Sequence, residues 1–282
     1  MTPRNRFWSL LAVLSGVVLG LSIGIAPLAG QGARAAKSGK TAPPAGPFTR
    51  LSDGQPDMQG YWASRSFFSA FDLEEHKEAT FEVPAGKGVV IDPPDGKIPY
   101  QPWAAAKKKD LVEHHLAEDP QAHCFLSGVP RQMYTPFGFQ ILQPEGAVVF
   151  FYEAFHAYRI IPLDGKSHPG SAIKLFEGDS RGHWEGDTLV VDVTDLNDRT
   201  WFDMAGNFHS DDMHVIERYT PVDADTIRYE ATMEDATVFT RPWTIAFALG
   251  RNRDPNYENL EYACVEGEQD LQHYTASEGG KK

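Results

Sequence analysis

Residues 200–219 read TWFDMAGNFHSDDMHVIERY, twenty residues that hold two histidines, four acids, an arginine and a Gly-Asn turn pair before settling into strand-like alternation. Histidine is the side chain whose charge changes nearest neutral pH and the commonest metal ligand. The spacing around Ser210-Asp211-Asp212-Met213 therefore raises two chemistries. A metal centre needs at least three converging ligands, usually imidazole nitrogens with a carboxylate. His156, His209 and His214 are the set that would hold a divalent metal, with Asp203 as an alternative third ligand, yet no HExxH pattern demands it. No other cofactor is indicated. If His214 opens a strand, it shares a face with Ile216 and Arg218 while Glu217 points the other way with Val215. The plainer reading is a strand-entry loop overhanging a pocket mouth, its histidine bonded to backbone.

A second constellation runs from Tyr152 to Arg159, YEAFHAYR. On an undistorted strand Glu153 and Arg159 lie on one face and Tyr152, His156 and Tyr158 on the other. Inside a barrel, Glu153, His156, Arg159, Asp203 and His209 would be the catalytic candidates, because burial and pairing move such groups toward working pH. The alternatives are ligand orientation without turnover, or an ordinary cross-strand ion pair. A third group is aromatic: Trp184, Trp201, Phe202, Trp243 and Phe247, with Phe150, Phe151 and Phe155. Such walls suit an apolar or ring-shaped ligand, and equally a large β core. Tyr152, Trp184, Trp201, His214 and Trp243 are the residues expected to touch a ligand. Residues 178–182, GDSRG, match a nucleophile elbow in letters, but no helix follows, and a tight turn explains the glycines.

These side chains need a scaffold, and the chain after Pro136 supplies one. PEGAVVFFYEA, EGDTLVVDVT and DADTIRYEAT each place an acid-bearing turn before a strand. Leu189, Val191 and Val193 point one way and Val190, Asp192 and Thr194 the other; Ile227, Tyr229, Ala231 and Met233 form an inward set. RPWTIAFALGRNRDPNYENLEYACVEG is expected to give two more strands, the first with Trp243, Ile245, Phe247 and Leu249 on one face. The fold expected is mainly β, an antiparallel meander over residues 137–267 that closes into a lipocalin-like barrel or splits into a sandwich to avoid exposed edges. Residues 48–136 read as an irregular, proline-rich arm wrapped on that sheet, with one helix at about 103–119 ended by Pro120.

Arg4 and Arg6 precede an uncharged run from Phe7 to about Leu28, and Ala33-Arg34-Ala35 offers a cleavage site, the layout of a signal peptide over residues 1–35. An uncleaved anchor is the alternative. Residues 36–47 read as a flexible linker and 268–282 as a disordered tail. The expected location is periplasmic or secreted. There, Cys124 and Cys264 are expected to form a disulfide. A net charge of −13, deeper once the leader's three arginines are removed, repels nucleic acid and anionic lipid, so neither is an expected partner.

The phrases DGKIPYQPW, CFLSGVPRQMY, FQILQ, HAYRIIPLDGKSHP, GDSRGHWEGDTLVVDVTDLND, TWFDMAGNFHSDDMHVIERYT and NYENLEYAC resemble a family of exported bacterial proteins abundant in soil proteobacteria and acidobacteria. The resemblance covers roughly residues 55–265. It implies export and a single β-rich unit, and carries over no catalytic residue. Two functions follow from the sequence: a small-molecule pocket inside the barrel, binding or turning over an apolar or aromatic compound, or an envelope or partner-binding module without catalysis.

Overall fold

The computed structural model describes residues 48–77, 85–262 and 264; the expected leader, linker and tail lie outside the described residues. The fold is mainly β. Its strands are β1 (Gly60–Ser64), β2 (Val90–Asp92), β3 (Phe139–Leu142), β4 (Ala147–Tyr152), β5 (Tyr158–Pro162), β6 (Asp179–Glu185), β7 (Thr188–Thr194), β8 (His214–Asp223), β9 (Thr226–Glu234) and β10 (Trp243–Arg251). They form one sheet ordered β5-β4-β3-β1-β10-β9-β8-β7-β6, with β2 also paired to β10. Every pairing is antiparallel. The period-two patterns set the inside: Leu189, Val191, Val193, Val215, Tyr219, Ile227, Tyr229, Ala231, Met233, Trp243, Ile245 and Leu249 are all buried.

The sheet nearly closes into a barrel, and its geometry explains why the last step is missing. Nine strands of alternating direction leave the two edges, β5 and β6, pointing the same way, so a hairpin cannot join them. Residues 163–178 cross from one to the other instead. The seam is packed by side chains. A Cβ on Gly182 of β6 would stand 2.7 Å from Ile161 Cγ2 and 2.8 Å from Leu163 Cδ2, so the absent side chain is what lets β5 approach.

Four sequence expectations are corrected. The helix α1 is Pro102–His114, not 103–119; His115 leaves the helical region (φ −133°, ψ 17°), and separate 3₁₀ turns follow at Leu116–Glu118 and Pro120–His123. The arm does not merely wrap the sheet: β1 is inserted between β3 and β10, so the meander is interrupted there. After β10, residues 252–262 form no second strand among the described residues. Finally, the run from Tyr152 to Arg159 is not one strand, because Phe155 (φ 60°) and His156 (φ 51°) adopt left-handed backbone and turn β4 into β5.

The arm packs a plug against inward-facing residues of the sheet, Met133 meeting Tyr152 and Tyr134 meeting Phe247. Residues 127–135, SGVPRQMYT, are all buried. Arg131 anchors them through a two-pronged pair with Asp119, both bonds 2.7 Å, and the Tyr134 hydroxyl donates to the Phe202 carbonyl at 2.8 Å. The disulfide Cys124–Cys264 forms beside Ala154 and Phe155, its Cα atoms 5.5 Å apart. No helix among the described residues is long and apolar enough to cross a membrane.

Candidate functional site

Phe139 of β3, Phe150 and Tyr152 of β4, Tyr219 of β8, Tyr229 of β9 and Phe247 of β10 form a chain of touching rings inside the sheet, Phe150 meeting Tyr219 across the interior. Into this aromatic interior reach three ionisable side chains, two from strands and one from the crossover. Arg159 of β5 donates through Nη2 to Glu217 Oε2 and through Nε to Ser180 Oγ at 2.8 Å. Glu217 of β8 is fully buried, and its Oε1 accepts from the hydroxyls of Tyr219 (2.9 Å) and Tyr229 (2.8 Å). Glu177, just before β6, accepts from the Gly128 amide of the plug at 3.2 Å. The residue as a whole is half-buried, but its Oε2 atom is buried. Glu217 faces inward with Val215, as alternation requires, and the alternation was the only signal that could have marked it.

Two atoms of this cluster, Arg159 Nη1 and Glu177 Oε2, are buried without a hydrogen-bond partner. Burial pushes the Glu177 carboxyl up to about 7, against the pull of Arg159 and the Gly128 amide. Burial also holds the hydroxyls of Tyr152, Tyr219 and Tyr229 in their protonated form. The site can thus donate through a guanidinium arm and exchange a proton through a carboxyl near neutral pH. The folded protein keeps on Glu177 a proton that the unfolded chain releases near 4.5. The contribution of Glu177 to stability is therefore greatest below that value, falls as pH rises to about 7, and is level above. Glu177→Gln is expected to remove this slope and to be more stable than the parent at about pH 8, by on the order of 2 kcal/mol in urea denaturation.

The other expected site residues are dispersed. His156 is exposed on the turn between β4 and β5. Glu153 is half-buried there and accepts from the Tyr257 hydroxyl at 3.0 Å, not facing Arg159. Tyr158 points outward and Tyr152 inward, donating to Met133 Sδ at 3.4 Å. His209 is buried with both nitrogens committed, Nε2 lying 2.7 Å from Thr200 Oγ1 and Nδ1 2.8 Å from the Ser210 carbonyl; burial depresses its pKa. This is the backbone-bonded loop histidine of the plainer reading. Asp203 organises the same loop. Its carboxylate accepts from the amides of Leu73, Ala205 and Asn207 and from Asn207 Nδ2, while burial and then Asp72 push its acid up to about 7. Its role is to fasten the arm to the loop, together with the Tyr100 hydroxyl on Asn207 Oδ1 at 3.1 Å.

Trp243 is a core residue between Phe202 and Phe239, and Trp184 and Trp201 pack partly buried against the same core. Ser180 lies on β6, so GDSRG makes no elbow. His214 lies on the outer face of β8, on the wall of an open cleft of about 560 Å³ shared with Asp212, Glu234 and Arg241. His156, His209 and His214 therefore do not converge. Among the described residues no group of three or more His, Cys, Asp or Glu is arranged to hold a metal ion. Searched against protein-family models, curated proteins and solved structures, the chain matches none.

Proposed function

We propose that this chain is an exported small-molecule-binding protein whose ligand sets a hydrogen-bonding group between Arg159 and Glu177, its apolar body against the aromatic interior of the barrel. The observation that carries the reading is the pair of unpartnered buried atoms, Arg159 Nη1 and Glu177 Oε2, of opposite charge type in one cluster. Leaving a buried polar atom unpaired costs about 1–3 kcal/mol, more when it is charged. A ligand offering an acceptor to the arginine and a donor to the glutamate relieves both. Residues 127–135 pack beside the pair, with the Gly128 amide on Glu177, and are the segment a ligand displaces. Binding is favoured over turnover, because the histidines that acid–base chemistry would draw on stand elsewhere. Export is supported by the disulfide, which suits an oxidising compartment, and by the leader-like first 35 residues.

The test is calorimetric titration with small aromatic amides, phenols and carboxylic acids. Expected is at least one ligand class binding with a dissociation constant of about micromolar order, weakened roughly tenfold or more in Glu177→Gln. No binding by any class at about millimolar concentration overturns the reading. The second reading, a partner-binding module, has one observation in its favour: Phe151, Tyr158 and Ile160, 41 %, 62 % and 54 % exposed, lie together on the outer face of β4 and β5.

A further inference from the structure

On the outer surface, away from the aromatic interior, charged side chains of β6 to β9 line up with one from the crossover. His168 Nδ1 lies 2.6 Å from Asp179 Oδ2 and its Nε2 3.2 Å from Asp192 Oδ1. His214 Nε2 lies 2.9 Å from the same Asp192 oxygen and its Nδ1 3.1 Å from Glu234 Oε2. Arg181 closes the row with Nε on Asp179 at 2.8 Å. The order is Arg181, Asp179, His168, Asp192, His214, Glu234, and it crosses four strands.

Counting protons shows what this row requires. A carboxylate only accepts hydrogen bonds, and a neutral imidazole has one N–H to give. Each of the two rings faces a carboxylate oxygen with both nitrogens. A neutral ring therefore leaves a lone pair against an oxygen, and only an imidazolium satisfies both sides. With both rings charged the row alternates in sign from end to end, and four imidazole bonds are made. With both neutral only two remain. The charged groups around the two rings are Asp164 of the crossover, Asp179, Asp192, Glu234, the cleft's Asp212, Arg181 and Arg241.

The row has one mechanical consequence. From Asp164 to Ile173 every residue except His168 is exposed, so this half of the crossover is held to the strands chiefly through that ring. Asp164 adds a loose pair with Arg181 at 3.8 Å. Farther along, backbone bonds between Leu175 and the residues Asp195 and Asn197 fix the segment near β6. We propose that His168, Asp192 and His214 form a proton-operated latch that holds residues 164–173 against β6 and β7 in acid and releases them as pH rises. The released segment spans the seam between the unpaired edge strands, so the latch sets how freely β5 and β6 part. The inference stands whether or not the interior takes a ligand.

Nitrogen-15 NMR of the whole chain tests it. At about pH 5.5 backbone order parameters should be near 0.8 across residues 164–173, and at about pH 8.5 below about 0.6 there and unchanged in β8 and β9. His168→Gln should fold normally, its site being on the surface, and show a mobile segment at both pH values. Equal order at both pH values in the parent protein overturns the proposal, as does a persisting pH response in His168→Gln. Order at high pH that EDTA abolishes also overturns it, by assigning the latch to a bound metal.

Discussion

Replacing Glu217 by leucine should cost the protein about 3–5 kcal/mol, because it strands a guanidinium inside an aromatic interior. Glu217 is the counter-ion of Arg159 and the acceptor for the hydroxyls of Tyr219 and Tyr229, so one substitution deprives three donors. None of them reaches water: Arg159 is 4 % exposed and both tyrosines 0 %. Arg159→Met in the same chain should recover much of the loss, since apolar side chains of similar volume often replace a buried ion pair without cost. The recovery should stop short by the two hydroxyls, and adding Tyr219→Phe and Tyr229→Phe should bring back about 1–3 kcal/mol for each. Urea denaturation followed by tryptophan fluorescence reads the series. A fall in midpoint at constant slope identifies a loss of native interactions and not a change in the unfolded chain. A loss below about 1 kcal/mol in the single variant would show that the charges reach solvent and that the interior is wetter than its packing implies.

That ion pair also marks where the sequence stops being informative. Alternation on β8 sets Glu217 with Val215 and opposite His214 but does not say which face is inside, and the expectation of His214 in the pocket takes the wrong one; on β7, β9 and β10 alternation assigns the core. These are local regularities, set by the pleat. The partner of Glu217 is 58 residues away, and nothing local distinguishes Arg159 as that partner from Arg159 as the partner of Glu153. The turn at Phe155 and His156 was hidden for another reason. Left-handed backbone is usually signalled by glycine, and here a phenylalanine and a histidine adopt it, so the run reads as continuous strand and His156 is assigned inward. β1 is short, five residues in a proline- and glycine-rich arm, and its place in the sheet rests on pairing with β3 and β10, which are distant in sequence. The surface row behaves the same way: His168, Asp192 and His214 come from three elements and meet only through sheet order. What the sequence conveys is the face of each strand; what it withholds is which faces meet.

The disulfide was expected from compartment and cysteine number, and its mechanical role can now be argued from position. Cys124 sits in the arm just before the plug and Cys264 lies beyond β10, 140 residues later, so the bridge closes most of the described chain into one loop. In the chain-entropy view a loop of this length constrains the unfolded state by about 4–5 kcal/mol. The native contacts around it are thin. Tyr262 packs against Phe137 and Phe155, and Asn259 Nδ2 donates to the Phe151 carbonyl at 3.1 Å. Cys124→Ser with Cys264→Ser should therefore lower the unfolding free energy by about 2–5 kcal/mol, with a steeper denaturant slope because the freed chain exposes more surface. The steeper slope separates this effect from that of Glu217, which acts on the folded state alone. If the segment from Asn252 to Cys264 merely frays, the midpoint will hold while proteolysis trims that end. An unchanged midpoint would mean that the sheet and plug form the cooperative unit by themselves and that the bridge serves only to tether the segment after β10.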